Sequence, residues 1–152
     1  MSKFTQENAS QLLMALRQEL ELFEKIREIT KEQTELIAAE KIVAFNESLD
    51  RRQELIEKIN GLHQETDGLM QSYISYSSSK GGEKIGKVEQ LSGEVKSLIA
   101  ECAALNEKNE VAAREKSEEF SQKIERLSLS RKSLGTYIQN IEAAPELFDK
   151  MT

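Results

Sequence analysis

From Ala9 to Ile74 the chain holds no proline, and its only glycines are Gly61 and Gly68, so nothing strong interrupts a helical pattern of more than sixty residues. Within it Leu13, Leu16, Leu20 and Phe23 recur at 3-4-3 spacing, and Ile26, Thr30, Thr34 and Ile37 extend the stripe less purely. A better-phased stripe starts at Ile42 and runs through Phe45, Leu49, Arg52, Ile56, Ile59, Leu62, Thr66, Leu69 and Tyr73. The register therefore shifts near Ala38–Lys41. Such a shift is either a stutter in one helix or a tight turn between two antiparallel helices, and Ala38-Ala39-Glu40-Lys41 contains no turn former to decide between them.

The segment SYSSSKGG, residues 75–82, reads as a linker and a mobile loop that reverses the chain, because its serines and glycines sustain a helix poorly and bury nothing. After it, Val88, Leu91, Val95, Leu98, Cys102, Leu105, Asn109 and Ala112 alternate threes and fours without a break, the strongest periodicity in the chain. The stripe turns polar at Lys116, resumes at Phe120, Ile124, Leu127, Arg131, Leu134 and Ile138, and ends before Ala144-Pro145, since proline disfavours helix at its predecessor.

At 152 residues, with 32% charged side chains, 5% aromatics and no Trp, the composition is that of long helices and coiled coils, which excludes an all-β fold. The expected architecture is all-α: a single domain over 1–152, an elongated antiparallel up-and-down bundle of three long coiled-coil-like helices. It comprises a helical hairpin over 8–76, a Ser/Gly linker over 75–83, a long helix over 84–138 and a tail over 139–152. A helix over 84–138 would be ~80 Å long, against ~50 Å for each hairpin helix. The stripe from Phe120 to Ile138 would then project unpartnered, which implies a ligand or a second subunit. A bend between Asn106 and Ala112 would instead give four shorter helices of matched length. Asn109 sits on the seam, so it is open at this level whether it fixes register, marks such a break or is incidental.

The formal net charge is −6, which opposes binding to a phosphate backbone. Residues 1–76 carry 9 basic against 14 acidic side chains and residues 77–152 carry 12 against 13, so a partner is expected towards the C-terminus. No apolar run approaches the ~18 residues of a membrane span, and MSKFTQENAS lacks a secretory apolar core. The expectation is a cytoplasmic protein, without membrane insertion, whose Cys102 is reduced.

Enzymatic constellations are sparse. His63 is the only histidine and Cys102 the only cysteine, so neither a His/Cys metal cluster nor an imidazole relay can be assembled. Cys102, between Leu98 and Leu105, reads as a small core hydrophobe, and His63 as a boundary helical residue. Glu118-Glu119 and Glu28 with Glu32 read as solvated helix faces, and Gly81-Gly82 with Gly86 lacks the preceding strand and following GK[ST] of a phosphate loop. The chain is read as no enzyme, with no catalytic residue, metal or cofactor.

Several stretches resemble one family. The opening LLMALRQELELFEKI and the following TELIAAEKIVAFNESLDRRQELIEKINGL are similar to the helical hairpin of FlgN-type flagellar type III export chaperones. There a Leu-Ile pair, here Leu36-Ile37, precedes a short turn and an Arg-Gln-x-Leu-Ile signature, here Arg52-Gln53-Glu54-Leu55-Ile56. ALNEKNEVAA is similar to the family's Leu-Asn-x-x-Asn stretch, and RKSLGTY with the tail ELFDKM resembles C-terminal features of clostridial-type members. Many members place a Gly-Asp type turn where this chain has Ala39-Glu40-Lys41. The filament-cap chaperones of FliT type are the close alternative.

The resemblance implies a cytoplasmic chaperone that binds C-terminal amphipathic helices of hook–filament junction (hook-associated) proteins, keeps them unpolymerised and delivers them to the export apparatus, as a monomer or weak homodimer. The spare stripe supplies a client-binding surface at Phe120, Ile124, Leu127, Leu134, Tyr137 and Ile138, flanked by Lys123, Arg126, Arg131 and Lys132 as steering charges. Its competing reading is ordinary bundle core. The competing function is a structural coiled-coil rod that homo-oligomerises through the 88–112 seam.

Overall fold

A computed structural model describes residues 4–79 and 82–116 of the chain. Three long helices account for most of them, with no strand among the described residues: α1 (Gln6–Ala38), α2 (Ile42–Ser78) and α3 (Gly86–Lys116). At ~1.5 Å per residue, α1 and α2 are about 50 and 55 Å long and α3 about 46 Å, so the described helices are well matched. Thr5 caps α1, its hydroxyl accepting the Asn8 N–H at 3.1 Å. On α1 the buried positions Leu12, Leu16, Glu19, Phe23, Ile26, Thr30, Gln33 and Ile37 follow one heptad stripe. Its polar members are Glu19, Thr30 and Gln33, and Glu19 and Gln33 stand where the sequence pattern points to Leu20 and Thr34.

The register shift is a turn. Helix α1 ends at Ala38, Glu40 takes a left-handed φ of 56°, and the Lys41 and Glu40 N–H groups donate back to Leu36 and Ile37 carbonyls at 2.9 and 3.0 Å. This is the hydrogen-bond pattern that glycine usually closes, made here by a glutamate at a cost of roughly 1 kcal/mol. The chain then doubles back as α2, and Ile37 packs on Phe45 and Leu49.

Helix α2 runs through Ser78, so Ser75–Ser78 is helical rather than loop, a correction to the linker expectation. The last turn is held from inside: Tyr73 and Ile74 are buried, and the Ser77 and Ser78 hydroxyls bond the Ile74 carbonyl at 3.3 and 2.8 Å. Packing here outweighs the weak helix preference of serine. Gly82 lies so close to α2 that an added Cβ would stand 1.8 Å from the Tyr76 carbonyl oxygen. Tyr73 accepts the Ile85 N–H at 2.8 Å, and Phe4 rests on Tyr73 and Tyr76 with ring centroids 5.6 and 5.7 Å apart.

Three apolar clusters stack along the bundle. Leu12, Leu16, Tyr73, Ile74 and Val88 close the amino-terminal end. The middle is the largest, with Phe23, Ile26, Ile56, Ile59, Val95, Leu98, Ile99 and Cys102. Ile37, Phe45, Leu49 and Ala113 form the cluster at the hairpin tip. These pairings make α2 antiparallel to α1 and α3 parallel to it, an up-down-up bundle. Helix α3 is continuous through Asn106–Ala112, so the described chain has no break there.

Candidate functional site

Between the middle and tip clusters the interior is polar. Arg52, at the centre of α2's stripe, is fully buried and donates through Nη1 to Asn106 Oδ1. One heptad step along, Asn109 reaches α1 twice: its Nδ2 donates to the Thr30 carbonyl at 2.8 Å and its Oδ1 accepts from Thr34 at 2.6 Å. Gln33 Nε2 donates to Ser48 Oγ at 3.1 Å, completing a layer shared by all three helices. Glu110, 3% exposed, takes Arg114 at 2.9 Å.

This layer is incompletely matched. Arg52 Nε and Nη2, Asn106 Nδ2 and Gln33 Oε1 form no hydrogen bond among the described residues. Burial lowers the Arg52 pKa from 12.5 to about 10. A guanidinium withdrawn from water with a single partner costs stability that an apolar pair of similar volume would not. What it secures is alignment: only one sliding position of α3 along the hairpin sets Asn106 against Arg52 and Asn109 against Thr30 and Thr34.

Cys102 belongs to the middle cluster: it is fully buried, its thiol faces the Phe23 carbonyl at 3.7 Å, and burial pushes its pKa up to about 11. A thiol so placed is a poor nucleophile. His63 is half-buried on α2 with Nδ1 3.7 Å from a Glu19 carboxylate oxygen. Glu28 and Glu32 pair with Arg27 and Arg51 at 3.8 and 3.1 Å. Among the described residues no group of three or more His, Cys, Asp or Glu could hold a metal ion, and no helix is long and apolar enough to cross a membrane.

The surface expected to hold a partner, Phe120, Ile124, Leu127, Leu134, Tyr137 and Ile138 with Lys123, Arg126, Arg131 and Lys132, lies outside the described residues, as does Glu118-Glu119. Sequence reasoning placed Arg52 and Thr30 on their stripes and singled out Asn106 and Asn109, but missed that they form one buried layer. Gln33 was missed altogether. Its signal was the 4-3-4 spacing of Ile26, Thr30, Gln33 and Ile37, overlooked because a glutamine on a helix reads as surface.

The layer also joins the two stretches that carry the family resemblance: Arg52 of Arg-Gln-Glu-Leu-Ile bonds Asn106 of Leu-Asn-Glu-Lys-Asn, whose Asn109 anchors α1. A model of the FlgN protein family matches residues 1–145. The chain belongs to the FlgN family. Comparison with curated proteins and with solved structures finds no match. FlgN proteins are flagellar export chaperones that bind flagellar proteins, generally in the cytoplasm, and not enzymes; membership gives this chain that general role.

Proposed function

We propose that this FlgN-family chain is a cytoplasmic chaperone for hook–filament junction (hook-associated) proteins. It holds their C-terminal amphipathic helices, prevents premature assembly and hands them to the type III export apparatus. The observation that supports this is how far the described part of α3 reaches along the hairpin. Helix α3 faces Leu12 and Tyr73 through Val88 and has already reached Ile37 and Phe45 at Ala113, so the hairpin is spanned before Phe120. On this proposal the apolar positions from Phe120 to Ile138 take the client helix, whose own apolar stripe needs cover before assembly. Roughly 600–800 Å² buried per side is enough for a specific but releasable complex. No bond-making step is required of this chain.

The rod reading is less favoured. Val88, Val95, Leu98, Cys102 and Asn109 of the 88–112 seam are buried against α1 and α2 of the same chain, with Leu91, Leu105 and Ala112 partly buried, which supports the chaperone reading over the rod. The free protein is accordingly proposed to be a monomer or weak homodimer. Leu134→Glu is the decisive variant: it should leave thermal melting almost unchanged and abolish capture of a hook–filament junction protein. Substantially lower melting would place Leu134 in the core, and normal capture would remove it from the client surface.

A further inference from the structure

Beyond Cys102 the third helix changes character. Up to that point its buried side chains are Val88, Val95, Leu98, Ile99 and Cys102; past it they are Asn106, Asn109, Glu110 and Ala113. Three of these four are polar and the fourth is a single methyl group. The hairpin opposite presents Ile37, Phe45 and Leu49, so large apolar groups on α1 and α2 are covered by small or polar ones on α3. Apolar area drives helix packing, and this part of α3 contributes little of it. At the boundary stands the Arg52 guanidinium, with Nε and Nη2 unbonded among the described residues. Separation of α3 would bring these donors to water.

We propose that residues 103–116 of α3 are a strap that detaches from the hairpin tip as one unit, hinged just after Cys102, while the middle cluster stays packed. Its latches are the bonds of Asn109 to Thr30 and Thr34 and of Asn106 to Arg52. The Glu110–Arg114 pair lies wholly within the strap and moves with it. Opening uncovers Ile37, Phe45 and Leu49 at the hairpin tip, beside the last described turn of α3. Contiguous segments with few apolar contacts are those that open below the free energy of global unfolding. The strap is a property of the free chain and stands whichever client the chaperone holds.

Hydrogen exchange of the full chain under native conditions tests it. Amides of residues 106–113 should exchange as a block, roughly tenfold or more faster than those of 95–102, with 53–59 of α2 as slow as 95–102. The double variant Arg52→Met with Asn106→Leu should slow that block by a similar factor. Asn109→Ala, which removes two latch bonds and needs no new packing, should speed it while leaving 95–102 unchanged. Equal rates across 95–113, a smooth gradient of end fraying towards Lys116, or a block indifferent to Asn109→Ala would each overturn the strap.

Discussion

The middle cluster of this bundle and the layer between it and the hairpin tip are built from the same heptad spacing and filled with opposite chemistry. In the middle cluster Phe23, Ile26, Ile56, Ile59, Leu98 and Ile99 are apolar and Cys102 adds only a weak thiol, with the buried Glu19 one step towards the amino-terminal cluster. Towards the hairpin tip on each helix, the corresponding positions are Gln33, Arg52 with Ser48, and Asn106 with Asn109. Apolar layers of this kind tolerate sliding, because one branched side chain fills a gap about as well as another. A layer in which Arg52 must find Asn106 does not. The middle supplies stability and the polar layer supplies alignment, and the two are separable by mutation.

Phe23→Ala should have the largest effect, a loss of about 3–5 kcal/mol, because a fully buried ring is removed from the best-packed layer. Chemical denaturation measures it, and a loss near 1 kcal/mol would mean the middle is not the source of stability. Asn106→Ala comes next, at about 2–3 kcal/mol, since it strips the buried guanidinium of its hydrogen bond. Arg52→Met combined with Asn106→Leu should by contrast be neutral or stabilising. If that double variant is as damaged as Asn106→Ala alone, the layer is contributing stability after all.

Alkaline titration separates the layers in another way. The Cys102 thiol, at about 11 in the fold against 9.0 when exposed, keeps its proton in the folded state while the unfolded chain ionises. Its contribution is complete below pH 9 and is lost as pH rises through 11, a fall of roughly 2–3 kcal/mol. Cys102→Ala, about 1 kcal/mol less stable at neutral pH, should remove that part of the alkaline slope. A slope unchanged in the variant would deny the thiol its buried state. The smallest effect expected is a gain: Glu40→Gly relieves the left-handed turn and should stabilise by up to about 1 kcal/mol, read as a higher melting temperature.

The middle layer was legible because apolar side chains at 3-4 spacing have only one use in a soluble helix. Cys102 between Leu98 and Leu105 could be assigned to the core on that ground alone. Arg52 was legible as a stripe member but not as buried, since an arginine on such a stripe ordinarily runs its stem along the core and leaves its charge in water. Only the third helix, supplying Asn106, makes full burial tolerable, and that pairing spans 54 positions of sequence. The turn at Ala39–Lys41 escaped for a different reason. Its left-handed residue is a glutamate, held there by the Lys41 and Glu40 backbone bonds and by the packing of Ile37 on Phe45. For the residues proposed to hold the client, the stripe beginning at Phe120 gives spacing and charge alone.

The up-down-up order has a practical side. Thr5 and the α2–α3 connection share one end of the bundle, whereas the Glu40 turn and the last described turn of α3, at Lys116, share the other. A surface tether or dye attached at Thr5 therefore sits about 50 Å from Lys116, roughly the length of α1. A dye pair between that end and a cysteine placed at Lys116 spans a distance to which energy transfer is most responsive.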